Sequence, residues 1–446
     1  MLFGSVTKPV LSAEIKNISL TLKDVESAAV SESLKIKASV SEVDAATMKA
    51  ETESSFLWPL LTVDGSWKYS TKVPELNVGP MSVQIGDHNV YSIGPTLTYT
   101  LIDFGAVRKN YKSLSAARDS KVEESKVIKK QTVLTAKATY FNILLASERL
   151  RLVADSLKLS ISQAQDIQNR LKAGASSRMD AISADREVLN YQLQFRQSQA
   201  DLSTELRTLF AQIGRGQNEN VSLPIDNRID YKTLKLFDTP TIIVSLDSLE
   251  KATAPEAIDK ELNVDRFLGS KHPQVLVYDE LAKASHYAEQ GANAGHWPKL
   301  QLMARSSLDY PNGPVTERVF QNSVGVAASV PLFEASKSSS EAAEKAHMAD
   351  AYKSKMEQAE IDITRDFMNA RDQLENLKLQ DAIMKENVHK AEELAKLYYT
   401  SYKAGRSSFL ELQSANLGLL ESKVLLARNR CLMLIQMAIM ESLIEN

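Results

Sequence analysis

The stretch YKAGRSSFLE at residues 402–411 rewrites LKAGASSRMD at 171–180, placing Gly405 at 405 − 174 = 231 positions after Gly174. A duplication constrains a fold more than composition does, because both copies must be able to follow the same path. The same offset sets TLID at Thr100–Asp103 over PLFE at Pro331–Glu334. WPLLTV at Trp58 and WPKLQL at Trp297 recur at 297 − 58 = 239, so the first copy carries a loop longer by 239 − 231 = 8 residues. The chain is two copies of one module.

Each module reads in the same order. A helix-like stretch (20–57 and 258–296) leads to a pair of extended segments (58–104 and 297–335), then to a long helical hairpin (105–213 and 336–446). An extension at 1–19 precedes the first copy. An insert at 214–257 joins the two, lacks helical periodicity and contains Pro224, Pro240 and Pro255.

Four extended segments alternate with period two, the signature of two-faced strands of about ten residues. Leu61, Val63, Trp67 and Tyr69 oppose Thr62, Asp64, Ser66 and Lys68. Tyr91, Ile93, Leu97, Tyr99 and Leu101 oppose Ser92, Thr96, Thr98 and Thr100. In the second copy Leu300, Leu302, Leu308 and Tyr310 oppose Gln301, Arg305 and Asp309, and Val324 and Val326 oppose Ser323 and Gly325. Aromatics stand near the segment ends, at Trp58, Trp67, Tyr69, Tyr91, Trp297 and Tyr310. Strands of this length and pattern suit a membrane-crossing barrel with its apolar row toward lipid. A soluble sandwich shows the same alternation.

The flanking sequence decides between them. From Gly105 to Leu171 and from Ser336 to Tyr402 no proline interrupts a helical pattern, and each stretch would reach about 100 Å at ~1.5 Å per residue. Narrow apolar stripes among many charged and Ser residues suit helices packed side by side in a wall with one wet face. Four strands cannot close, and an open edge in lipid leaves backbone groups unsatisfied. Two chains give eight strands around a filled interior, whereas three give 3 × 4 = 12 and room for a lumen, which the Thr, Ser and Gly of the polar faces favour.

Other chemistries find no support. A formal charge of −3 supplies no basic field for nucleic acid. The lone Cys431 precludes an intramolecular disulfide, and His88, His272, His286, His296, His347 and His389 show no metal-ligand spacing, so no metal site or cofactor is expected. There is no phosphate-binding loop, no GxGxxG after a strand and no GxSxG, hence no expectation of an enzyme. No run of eighteen apolar residues marks a transmembrane helix. The opening MLFGSVTKPVLSAEIKN lacks a leader pattern, which points to a cytosolic chain or to a mature form without its leader. The stripe Met433, Met437 and Met440 reads as helix packing.

Strand pairs closing in TLIDFG and VPLFEAS, the long helices and the twin AG..S..[DE] turns resemble the TolC-like outer-membrane factor family of Gram-negative bacteria over about residues 20–444. The resemblance implies a mainly α fold with transmembrane β: long antiparallel coiled-coil helices forming an α-helical barrel, and four strands per chain in a 12-stranded trimeric β-barrel in outer-membrane lipid. It implies a homotrimer working with a periplasmic adaptor and an inner-membrane transporter of RND, ABC or MFS type, as exit duct for efflux or type I secretion. A belt made of inserts such as 214–257 is also implied. No acyl anchor is expected, since Cys431 lies in the last helix.

At the turns, Gly174 and Gly405 suit the left-handed residue that ends a helix, and Ser177 and Ser408 suit the cap of the next. Ser408-x-x-Glu411 is a capping box, and Ser177-x-x-Asp180 a weaker one. The resemblance makes Asp180 and Glu411 acids of a periplasmic entrance, Tyr402 an aromatic closing it, and the turns an adaptor contact. Ser414 stands where some relatives carry a further acid. Arg170 and Arg406 are expected to pair with the two acids. The competing reading, a soluble coiled-coil scaffold whose hairpins mediate assembly, would leave Leu61, Val63, Trp67 and Tyr69 as an exposed patch needing a partner.

Overall fold

The computed structural model describes residues 16–214, 221–222, 242–246, 249, 267, 269–313 and 315–444. The prolines of the insert at 224, 240 and 255, and the start of the stretch predicted helical from 258, lie outside the described residues. Chain order gives β1 (Lys16–Leu20), α1 (Leu22–Glu32), α2 (Leu34–Ser55), β2 (Leu60–Tyr69), β3 (Glu75–Val78), β4 (Met81–Gln84), β5 (Asn89–Ile102), α3 (Ala106–Lys172) and α4 (Arg178–Gln212). Then follow β6 (Val221–Ser222), β7 (Ile242–Leu246), α5 (Pro273–Asn293), β8 (Lys299–Tyr310), β9 (Val319–Ser329), α6 (Lys337–Lys403) and α7 (Phe409–Leu443). Both boundaries of α3 recur 231 residues later in α6, and both boundaries of α4 recur so in α7. The duplication is structural as well as textual.

Two compact units divide the chain. One holds 39–125 and 273–360, with an antiparallel sheet in the order β2-β5-β8-β9. Its registers align the apolar residues into rows: Leu61 with Leu97, Ala304 and Val324; Trp67 with Tyr91 and Tyr310; Tyr99 with Leu302 and Val326. The opposite rows are polar, as in Thr62 with Thr96, Arg305 and Ser323. Burial is inverted relative to a soluble sheet. Thr96 and Ser307 are 7% and 5% exposed, whereas Trp67 and Phe320 are 70% and 78% exposed. Val63, Tyr69, Val324 and Val326 are exposed too, Leu97, Tyr99, Tyr91, Leu300, Leu302 and Tyr310 half-buried against one another.

Hydrogen bonds knit the polar face. Ser92 donates to the Asp309 carboxylate at 2.5 Å, Arg305 donates to Ser92 Oγ at 2.9 Å, and Ser307 Oγ donates to Asp309 at 3.1 Å. Gly94 sits where β5 crosses β8 so closely that a Cβ would lie 2.0 Å from the Ser306 carbonyl oxygen, and only glycine fits there.

Several details differ from the sequence reading. The stretch 20–57 is two helices broken at Ser33, whose backbone is extended. A small hairpin, β3 with β4, occupies the longer first-copy loop. A bulge at Leu101 interrupts the alternation and sets Ile102 opposite Leu300. In the insert, β7 pairs in parallel with β1 and β6. Asp103 accepts from the backbone N–H of Gly105 and Val107, both at 2.8 Å, which starts α3; positive φ at Phe104 and Gly105 recurs at Ala335 and Ser336.

The other unit, 16–38, 126–272 and 361–444 among the described residues, packs around Tyr140, Phe141, Ile143 and Leu144 of α3, Phe195 and Leu206 of α4, and Leu420, Cys431 and Leu434 of α7. Each fully buried large side chain contributes about 1.5–3 kcal/mol. Burial pushes the Cys431 thiol up to about 12, so it stays protonated and unreactive. Met433, Met437 and Met440 belong to a second cluster with Phe367 and Leu374. Lys137, 8% exposed, holds Glu26 of α1 at 2.9 Å and Glu441 of α7 at 2.8 Å, tying both to α3.

His272, also buried, has its pKa pushed down to about 4, chiefly by burial and then by the Lys130 charge. The folded state therefore refuses a proton that the unfolded chain accepts near 6.5. Stability is expected to fall as pH drops from about 6.5 to about 4, and His272→Gln to flatten that part of the curve in pH-dependent thermal unfolding.

Candidate functional site at the two helical turns

Four helix ends meet in sequence at two turns. At the first, α3 ends at Lys172 and Ser177 caps α4; at the second, α6 ends at Lys403 and Ser408 caps α7. Gly174 and Gly405 take φ of +75° and +70°. Gly174 N–H donates to the Leu171 carbonyl at 3.0 Å and Ala175 N–H to that of Arg170 at 2.8 Å. Gly405 and Arg406 repeat this on Tyr402 and Ser401 at 3.0 and 2.9 Å. Both turns are complete left-handed C-caps of the Schellman type, the conformation that glycine adopts without strain.

The two caps differ in their acids. Glu411 closes a full capping box: its N–H donates to Ser408 Oγ at 3.3 Å, and its carboxylate accepts from Ser408 N–H at 2.8 Å. Asp180 N–H donates to Ser177 Oγ at 3.0 Å, but the carboxylate turns instead to Ser176 Oγ at 3.4 Å. The Glu411 carboxylate is thus committed to its helix, whereas that of Asp180 is free of the cap.

The expected pairing of the arginines with these acids is not found among the described residues. Arg170 lies 3.6 Å from Asp166, donates to the Lys403 carbonyl at 3.2 Å and stands over the Tyr402 ring at 6.0 Å. It satisfies an orphan carbonyl at the end of α6, where the helix dipole favours a cation. Arg406 is exposed, and its side chain makes no hydrogen bond or ion pair among the described residues. Tyr402 is 9% exposed, packed edge-on against Phe409 at 5.8 Å beside Ile167, Ala181, Ala184 and Leu412. Its ring lies inside the subunit's own helices, and its hydroxyl is 3.4 Å from Ser176 Oγ.

A polar layer above this cluster escaped the sequence reading. Gln413 donates to the Glu187 carboxylate, joining α7 to α4, and Asn416 donates to Gln163 at 3.1 Å, joining α7 to α3. No signal singles these out, since isolated Gln, Asn and Glu on a charged helix read as a solvated face. Exposed apolar stripes also run along this unit: Met179, Ile182, Leu189 and Leu193 on α4, and Leu379, Ile383, Leu394 and Leu397 on α6. Among the described residues no group of His, Cys, Asp and Glu is placed to hold a metal ion, and no helix is long and apolar enough to cross a membrane.

Comparison with known proteins agrees with this architecture. A family model described as outer membrane efflux protein matches residues 25–215 and 279–442, one block for each repeat. Nodulation protein T of Rhizobium leguminosarum bv. trifolii is 24% identical over 429 residues, covering 90% of this chain and 80% of that protein. Among solved structures, the outer-membrane channel OprN superposes with a TM-score of 0.76 at 16% identity, covering 95% of this chain and 89% of that one. The outer membrane protein VceC of Vibrio cholerae gives 0.75 at 14% identity over 95% of each chain. The fold is theirs.

Proposed function

The chain belongs to the outer membrane efflux protein family, and from that premise we propose that three copies pool their strands and helices into one passive exit duct. The observation that carries this reading is the sheet: an exposed apolar face, a hydrogen-bonded polar face, and two unpaired edges at β2 and β9. In lipid an unpaired edge costs several kcal/mol for each unsatisfied group, so the edges of neighbouring copies pair. Three copies supply 3 × 4 = 12 strands with the polar face toward a lumen. The apolar stripes of α4 and α6 find their cover in the same assembly, as the helices pack into a wall that carries the passage into the periplasm.

The turns form the periplasmic end. Arg406, which has no hydrogen-bond or ion-pair partner among the described residues of its own chain, reaches the partner's Asp180, whose carboxylate no cap engages. Three such pairs, with Arg170 and Tyr402 bracing each subunit, hold the entrance narrow. A single exposed pair is worth about 0–1 kcal/mol, so the ring acts as a network. The turns at Gly174, Ser177, Gly405 and Ser408 are the contact for a periplasmic adaptor, which links the duct to an inner-membrane transporter of RND, ABC or MFS type. Transport energy comes from that transporter.

Two measurements test this. In detergent the particle should weigh three times 49.4 kDa, and Ile383→Asp should shift it toward single subunits; a wild-type particle of one subunit refutes the assembly. In planar bilayers, Asp180→Asn and Arg406→Gln should each raise single-channel conductance severalfold, while Glu411→Gln, which keeps the capping box, should leave it unchanged. Equal conductance in all four proteins would remove the gate.

A further inference from the structure

The strand ends differ in what they lead to: Leu60, Ile102, Lys299 and Ser329 adjoin the helices, while the other ends join through hairpins. At the hairpin end the apolar face finishes in an aromatic group of Trp67, Tyr69, Tyr91, Tyr310 and Phe320. Tyr91 and Tyr310 stack at 5.0 Å between centroids with planes 16° apart. Arg318 lies on this group. Its guanidinium carbon stands 5.9 Å over the Tyr91 ring, and its Nε donates to the Tyr91 hydroxyl at 2.6 Å.

Arg318 stands just before β9, and its contact with Tyr91 sets it at the apolar face, where an unpaired cation is unfavourable in hydrocarbon and is tolerated only near the interface. It is exposed, and no ion pair to it is present among the described residues. The Tyr91 contact uses one donor and fixes the planar fork, leaving the terminal N–H groups unspent. A fork held this way matches a tetrahedral oxyanion bidentately. The acid facing the same group is Asp87, which accepts from the Tyr310 hydroxyl at 2.5 Å on the neighbouring ring; the patch therefore suits one phosphate rather than a polyanion.

We propose that Arg318, held on Tyr91, binds a phosphate of the phosphorylated glycolipid that forms the outer leaflet, fixing the depth and rotation of the strands in the membrane. The inference rests on the duct reading, which places the hairpin end at the outer surface. Its ligand is a lipid headgroup rather than free phosphate.

The test uses the detergent-purified full chain, titrated with bisphosphorylated lipid A and with the same lipid after enzymatic dephosphorylation, and read by native mass spectrometry. Wild type should hold the phosphorylated lipid about tenfold more tightly than the dephosphorylated one. Arg318→Gln should abolish that preference, Arg318→Lys should retain only part of it, and Asp87→Asn should leave it intact or strengthen it. Inorganic phosphate should not compete at equal concentration. Equal binding of the two lipids, a preference unchanged in Arg318→Gln, or competition by inorganic phosphate would overturn the proposal. These outcomes presuppose a particle that needs detergent; a chain soluble without it fails the duct reading itself, before any lipid is added.

Discussion

The rows that set Leu61 beside Leu97, Ala304 and Val324 leave Leu61, Val63, Trp67 and Val324 exposed among the described residues. In water such a face collapses onto something apolar, because each exposed large side chain forgoes about 1.5–3 kcal/mol. Here the polar side, with Arg305, Ser92 and Asp309 bonded to one another, is the one drawn inward. Lipid on one side and water on the other is the environment in which both faces are satisfied, and in the proposed duct four strands then require several chains to share a cylinder.

The helical unit answers a different requirement. Its core depends on α3, α4 and α7 staying in contact over many turns, and small errors at the ends would accumulate along helices of 67 residues. The identical C-caps at Gly174 and Gly405 set the reversal angle in both repeats, and the serine caps start the return helices in register. Duplication left the two turns alike in backbone and free to differ in side chains. Glu411 serves its cap while Asp180 does not, and that difference separates a structural acid from one available to a neighbour.

Much of this was legible in the letters. Uninterrupted periodicity gave both long helices within a residue or two, and alternation gave the four strands of the main sheet and their two faces, because both patterns are local and repeated. Glycine followed by serine three residues on gave the turns for the same reason. What the letters hid depends on distant partners. The parallel pairing of β1 with β7 joins residues over two hundred positions apart, and each segment is only 5 residues long. The break at Ser33 carries no proline or glycine, and the β3–β4 hairpin showed only as an offset of 8 residues, 239 − 231. Arg170, which the pattern suggests for Asp180 or Glu411, lies against Asp166 and on the Lys403 carbonyl, a backbone group that no side-chain pattern reveals. Tyr402, which the resemblance sets at an opening, is packed on Phe409 and against Ile167, Ala181 and Ala184 of the other repeat, a tertiary contact that no local pattern reveals.

Lipid cover of the apolar rows is the premise on which assembly, orientation and gate all depend, and it can be read residue by residue. Cys431 is buried with a thiol pushed up to about 12, so single cysteines introduced along β2 and β9 take spin labels selectively. In reconstituted bilayers, labels at Val63 and Val324 should collide with dissolved oxygen and not with a water-soluble nickel chelate, and labels at Thr62 and Ser323 should show the reverse. Chelate access at every position, without the period of two, would contradict lipid cover.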